Sequence, residues 1–308
     1  MSRKPLSAAE LCDAVRQGRA VEAACLDRIL CSDAERGIIE VQAATPWRSL
    51  ATRLRADETA PPTLLASARA TVGDSVAANV AGPDGRPAVL HVEALTLVTA
   101  DGELRRLSRK SDAELFSLAI GGHGLFGTFY SITLRIESLA RALEQARAPQ
   151  SVLLRPGRQA ARPLELLLPP EALEVFVSGA DALCAEWGVP LRSVTLRRTS
   201  AEADTFLRWA SREFVQVELQ LSACEALGEH VRSTQVRRAM IDAAIAAGGA
   251  FPIVSTREAT REQTQACYPQ LQAFLAHKRR FDPHEKLTNE WYRHQRSVVE
   301  QCVVRWSH

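Results

Sequence analysis

Three stretches of the chain gather residue types able to hold a nucleotide: Ala70 to Asn79 (ATVGDSVAAN), Gly121 to Gly127 (GGHGLFG), and Lys278 to Pro283 (KRRFDP) with Asn289 to Arg293 (NEWYR). Glycine has no Cβ, so backbone N–H groups beside it can approach a phosphate or an aromatic ring closely. A nucleotide cofactor suits that chemistry. Neither glycine cluster carries the G-x-x-x-x-G-K-[ST] phosphate loop or a G-x-G-x-x-G placed between strand and helix, so both of those readings fail. On the residues alone, glycine as a plain turn former stands level with glycine as a cofactor cradle.

Each single candidate has two readings. His123, among glycines, faces a ring or points to solvent; His91, ahead of a strand, contacts a cofactor or merely edges that strand. Lys278, Arg279 and Arg280 are a solvated helix end favoured by the negative pole of the helix dipole, or Lys278 reaches a cofactor. Asn289, Trp291 and Tyr292 touch a cofactor or pack in a core, and Asp282-Pro283 reads as a turn. Cys267 is a thiol near a site or a small apolar filler. Glu218 and Gln220 share one face of a strand, which is a substrate-facing surface or a polar outer one.

The elements that position these residues follow from periodicity. Ser7 and Glu10 fit a capping box opening a helix through about Gln17. Gly37 to Ala43 alternates as a strand, Trp47 to Leu54 reads as a helix, His91 to Ser108 as a hairpin turning at Asp101-Gly102, and Thr128 to Ile136 as a strand. From Ser138 to about Arg162, Ala, Arg, Pro and Gln dominate, as in an exposed crossover. A second unit then runs strand (164–168), helix (170–187), strand (191–196), helix (202–210), strand (214–221), helix (224–247), capped at Gly248-Gly249, with a capping box at Thr260 to Gln263.

The 308 residues, 38 basic against 36 acidic, have the composition of a globular chain of two domains or one large one. A net charge of +2 with no basic stripe argues against nucleic acid. The uncharged window Leu115 to Leu134 contains Gly121, Gly122, Gly124, Gly127 and His123 and changes period midway, so no membrane span is expected. The seven cysteines form no C-x-x-C pair, so no metal site is expected. Together with an N-terminal run lacking the apolar core of an export signal, this leads to the expectation of a reducing, cytoplasmic setting.

As a whole the sequence resembles the FAD-linked oxidoreductases of the vanillyl-alcohol oxidase type, with a PCMH-type FAD-binding domain. Leu26 to Leu30 (LDRIL), Gly37 to Ala43 and Trp47 resemble the strand and helix after that family's first flavin loop, and Thr71 to Asn79 resembles its T-V-G-G-x-I-A-x-N segment. Leu95 to Gly102, Asp112 to Phe116 and Ile120 to Gly127 reproduce its most recognisable stretch, so that most of residues 1–138 is covered. Thr260 to Gln263, Tyr268-Pro269, Phe274-Leu275 and Lys278 through Arg293 resemble the terminal segment of the branch of sugar-lactone oxidases, alditol oxidases and decaprenylphosphoryl-ribose oxidase.

The resemblance implies an α+β fold of two domains: a PCMH-like FAD-binding part at 1–138, a linker at 139–162, a substrate or cap domain at 163–250, and a return to the cofactor domain at 251–308. It also implies cofactor contacts from Thr71, Val72, Gly73, Asp74, Ser75, Asn79, Gly121, Gly122, His123, Gly127 and Asn289, and a substrate face at Glu218 and Gln220. Four features depart from the pattern. The R-G-x-G-x-S loop that binds the pyrophosphate, and in some members carries a flavin-linked histidine, is missing between Arg16 and Leu26; Asp74 replaces the second glycine; and Ala81 to Pro87 is shorter than the H-G-x-N region. Where a branch member has a basic residue, 249–254 has none. The expectation is FAD bound non-covalently and oxidation of a C–OH group on an alcohol or sugar-like small molecule, by hydride transfer to flavin N5. The alternative is a non-catalytic or partner-dependent relative, in which another protein chain completes the cofactor site or the chain acts as a binding scaffold.

Overall fold

The structure, a computed structural model, describes residues 7–19, 25–54, 70–82, 84–144, 150–154, 162–222 and 227–300. In chain order the elements are α1 (Ala8–Arg16), β1 (Ile29–Asp33), β2 (Ile38–Gln42), α2 (Trp47–Leu54), α3 (Val72–Ala77), β3 (Val92–Val98), β4 (Leu104–Ser108), α4 (Ala113–Ala119), β5 (Thr128–Arg135) and α5 (Ile136–Glu144). There follow β6 (Gln150–Leu154), β7 (Leu164–Leu168), α6 (Leu173–Glu186), β8 (Leu191–Thr199), β9 (Phe214–Leu221), α7 (Leu227–Ala246), α8 (Arg261–Cys267), α9 (Leu271–Phe281) and α10 (Glu290–Glu300). Helices together with antiparallel sheets make this an α+β chain.

The chain divides into two compact units, one of residues 1–147, 202–208 and 272–297 and the other of 148–201, 209–271 and 298–308. The first holds a five-stranded sheet in the order β1-β2-β5-β3-β4, antiparallel throughout. Its centre is apolar: Ile39, Val41, Leu95, Leu97, Ile132 and Leu134 are fully buried. The hairpin β3–β4 turns at Gly102, whose φ of +82° a side chain rarely adopts. Ser7 caps α1 by accepting the Glu10 N–H at 3.3 Å.

The second unit holds a four-stranded antiparallel sheet, β6-β8-β9-β7. Val215, Val217, Leu219 and Leu221 fill its apolar face, as the alternation predicts. Gly248 ends α7 at φ +75°, and Thr260 and Gln263 form the reciprocal capping box of α8.

Two expectations about local structure change. The crossover after Ser138 contains α5, whose Leu139 and Ala142 lie three apart and are buried, and then β6. The helix expected over 202–210 does not form. Glu202 folds its carboxylate onto the N–H groups of Asp204 (2.8 Å) and Thr205 (3.0 Å), a local bond that competes with helical turns.

Candidate cofactor site

Residues 71–75 start α3. Thr71, extended at φ −96°, caps it by accepting the Asp74 N–H at 3.1 Å. The Val72 N–H donates to the Thr45 carbonyl (3.0 Å), that of Gly73 to the Ala43 carbonyl (2.7 Å), and that of Ser75 to the Thr71 carbonyl (3.2 Å). Four consecutive amides are therefore engaged by protein acceptors. A Cβ on Gly73 would lie 2.7 Å from the Ala43 oxygen, so this glycine serves the contact between α3 and the chain following β2. The Ser75 hydroxyl donates to the Thr71 carbonyl (3.0 Å) and accepts the indole N–H of Trp47 (2.8 Å). Asp74 is exposed.

Asn79 follows α3 in the left-handed region, φ +47°. Its Oδ1 accepts the Val89 N–H at 2.9 Å and its Nδ2 donates to Glu202 at 3.4 Å. Burial pushes the Glu202 carboxyl up, while bonds from the Thr205 hydroxyl and the Thr205 and Asp204 amides pull it back. Arg109 holds the same segment, donating to Asp204 at 2.7 Å and to the Val89 and Val92 carbonyls. Asn79 thus ties segment 202–208 to the first unit. No local motif marks the Arg109–Asp204 and Asn79–Glu202 bonds, whose partners lie 95 and 123 positions apart in sequence.

The 121–127 turn docks on the end of α3: the Gly121 N–H reaches the Val76 carbonyl (3.1 Å) and that of His123 the Ala77 carbonyl (2.9 Å). A Cβ on Gly122 would collide with the Leu118 carbonyl, and one on Gly127 would lie 2.8 Å from the Val98 carbonyl. Both glycines are demanded by the protein's own backbone. The His123 ring lies 4.4 Å from that of Trp291, at 34°. Its Nε2 is sealed from solvent and has no hydrogen-bond partner among the described residues. Burial lowers its pKa to about 4, so the ring is neutral at pH 7. Asn289 donates to the His123 carbonyl (2.8 Å) and accepts the Tyr292 N–H (2.8 Å), joining the start of α10 to the turn.

The structure therefore gathers Thr71 to Asn79, Gly121 to Gly127 and Asn289 in the first unit, and it gives most of them structural partners. Lys278, read from sequence as part of a solvated helix end, is wholly buried and paired with Asp282, which also accepts the Leu287 (2.8 Å) and Lys286 (3.0 Å) amides. Burial pushes the Cys267 thiol up to about 11, so it is protonated at neutral pH.

Glu218 and Gln220 lie on β9 in the second unit. Glu218 stands opposite Glu165 of β7 and Thr195 of β8. Gln220 donates to Glu218 (3.2 Å), and its own Oε1 is sealed from solvent without a partner among the described residues. Glu165 accepts from Ser255 (3.0 Å) and Gln216 (3.3 Å). Burial raises its carboxyl, the Glu218 charge adds to that rise, and the two hydrogen bonds oppose it.

Among the described residues no group of three or more His, Cys, Asp and Glu is placed to hold a metal, and no helix is long and apolar enough to cross a membrane. Residues 8–108, the stretch from α1 through β4, match the family described as FAD binding domain, which indicates FAD binding. A 124-residue stretch is 27% identical to the uncharacterized oxidoreductase ORF5 in the fasciation locus of Rhodococcoides fascians. It covers 39% of this chain and 28% of that protein, so the chain spans little more than a quarter of the relative's length.

FAD makes two demands on these residues. The flat isoalloxazine stacks on aromatic rings, and His123 and Trp291 supply such rings, but they pack on each other and the His123 Nε2 is sealed from solvent. The diphosphate needs free N–H groups, and those of Val72 to Ser75 do not fit because each already has an acceptor.

Proposed function

We propose that the protein is an FAD-dependent oxidoreductase that binds its cofactor non-covalently and oxidises a C–OH group of an alcohol or sugar-like small molecule, with hydride passing to flavin N5. The observation that carries this reading is the FAD-binding-domain match across residues 8–108. FAD, when bound, supplies the hydride acceptor. The chain's own residues supply position. Asn289 holds the His123 carbonyl, and burial keeps the His123 ring neutral, so that no charge stands there. Gly121, Gly122 and Gly127 shape the turn that carries it. In the substrate domain, proposed to be inserted as a cap at 163–250, Glu218 faces substrate hydroxyls, held by the Gln220 amide and with Glu165 beside it. A cytoplasmic setting accords with this chemistry.

The test is flavin content. Purified full-length protein is expected to be yellow, or to turn yellow on adding FAD, and to release the free flavin spectrum on denaturation. A colourless protein that takes up no added FAD, by fluorescence quenching or calorimetry, overturns the reading.

The engaged amides of Val72 to Ser75 favour a second reading, a relative that binds FAD only with a partner chain or serves as a binding scaffold. On that reading the isolated chain stays colourless with added FAD, and flavin co-purifies only with a second polypeptide that supplies diphosphate ligands.

A further inference from the structure

Asp84, His91 and Ser138 come from three separate pieces of the first unit: the loop after α3, the 3-10 turn Ala88–His91, and the first turn of α5. The His91 Nδ1 lies 2.7 Å from the Ser138 Oγ, and its Nε2 lies 3.6 Å from Asp84 Oδ2. The Asp84 and His91 side chains are 3% and 5% exposed, whereas Ser138 is half-buried and keeps access to solvent. Asp84 is fixed in place by the Arg86 N–H, which reaches its Oδ1 at 3.1 Å. Gly82 makes room for it, since a Cβ there would lie 2.9 Å from that same oxygen.

The protonation pattern follows from these contacts. Burial alone would raise the Asp84 carboxyl, but His91 and the Arg86 amide outweigh burial and hold it below its ordinary value. His91 Nε2 faces the Asp84 carboxylate. With its proton on that nitrogen, the ring would turn the Nδ1 lone pair to the Ser138 hydroxyl, the tautomer a general base requires.

We propose that Ser138 is a nucleophile, activated by His91 and oriented through Asp84, that accepts the acyl group of small esters independently of any flavin. In that step the Ser138 Oγ–C bond forms as its proton passes to His91 Nδ1. The ester C–O bond breaks, and the leaving alcohol takes that proton from His91. Water, deprotonated by His91, then releases the acid and restores the hydroxyl.

The probe is diisopropyl fluorophosphate, applied to the full chain. Oγ attack on phosphorus expels fluoride and leaves one diisopropylphosphoryl group, read by intact mass and peptide mapping. The expected result is a single adduct on Ser138 of the native protein, absent from Ser138→Ala and from chain unfolded in urea. Labelling is expected to slow by about 100-fold or more in His91→Gln, the usual range for loss of a general base. Asp84→Asn, with circular dichroism unchanged, should slow it by roughly tenfold or more. An unlabelled Ser138 in the native chain, or equal labelling rates in native and urea-unfolded protein, overturns the proposal even if the variants do not fold. So does an unchanged rate in a folded His91→Gln protein.

Discussion

Replacing Gly73 by alanine separates a glycine that serves the protein's packing from one reserved for a cofactor. The new Cβ would lie 2.7 Å from the Ala43 oxygen and 2.9 Å from the Ala43 Cβ, and neither atom sits at the end of a flexible side chain. The α3 backbone must therefore move away from Ala43. Overpacking of this kind costs about 1–3 kcal/mol. The same movement weakens the 2.7 Å bond from the Gly73 N–H to that oxygen, worth about 1 kcal/mol. Alanine's better helix propensity returns up to about 1 kcal/mol. The net loss is about 2 kcal/mol, or roughly a 30-fold faster opening of α3. The assay is hydrogen exchange by mass spectrometry on peptides spanning 72–80 in flavin-free protein. Gly124→Ala is the control, because Gly124 has the left-handed φ of +75° but nothing within 4 Å of a new Cβ. It should leave α3 protection unchanged. If Gly73→Ala keeps wild-type protection across α3 and loses only FAD uptake, the packing argument is refuted and the glycine belongs to a ligand.

Asn79→Ala strands the Val89 N–H and puts an ordinary residue at φ +47°, for a combined loss of about 3 kcal/mol; Asn79→Gly should recover about 1 kcal/mol of it, and equal urea midpoints for the two variants would contradict the strain argument. His123 has a folded pKa of about 4 against about 6.5 unfolded, so the unfolded chain takes the proton first. Its contribution to stability is thus present above about pH 6.5 and lost as pH falls toward 4; an NMR titration with a midpoint near 6.5 would show that the ring is not buried as described. Lys278→Met leaves the Asp282 carboxylate buried without its cation and should destabilise the chain by about 3–5 kcal/mol. Adding Asp282→Asn should recover part of that loss, and a melting temperature unchanged by the single variant would mean that the pair is solvated.

Much of the local architecture is legible in the residues. Strand alternation in 37–43, 128–136 and 214–221, the Asp101-Gly102 turn, and the caps at Ser7 and Thr260 all depend on neighbours within a few positions, and the structure shows strands, hairpin and caps there. Segment 202–210 reads as a helix because its residues permit one; instead Glu202 folds onto the Asp204 and Thr205 amides, and its carboxylate also accepts from Asn79, 123 positions earlier in the chain. The burial of Lys278 is equally invisible locally, because its charge pattern also suits a solvated helix end and only tertiary packing supplies the enclosing side chains.

The glycine clusters mark the limit for the candidate site. Composition alone identifies 71–79 and 121–127 as places where backbone must come close to something. Whether that partner is a ligand or the protein itself depends on where distant carbonyls lie. Tertiary structure places Ala43, Thr45, Leu118 and Val98 against these segments, so most of the close approaches are internal, and the buried nitrogen of His123 is left with its bonding capacity unused. The need for glycine follows from local sterics; its reason is set by atoms that only folding brings near.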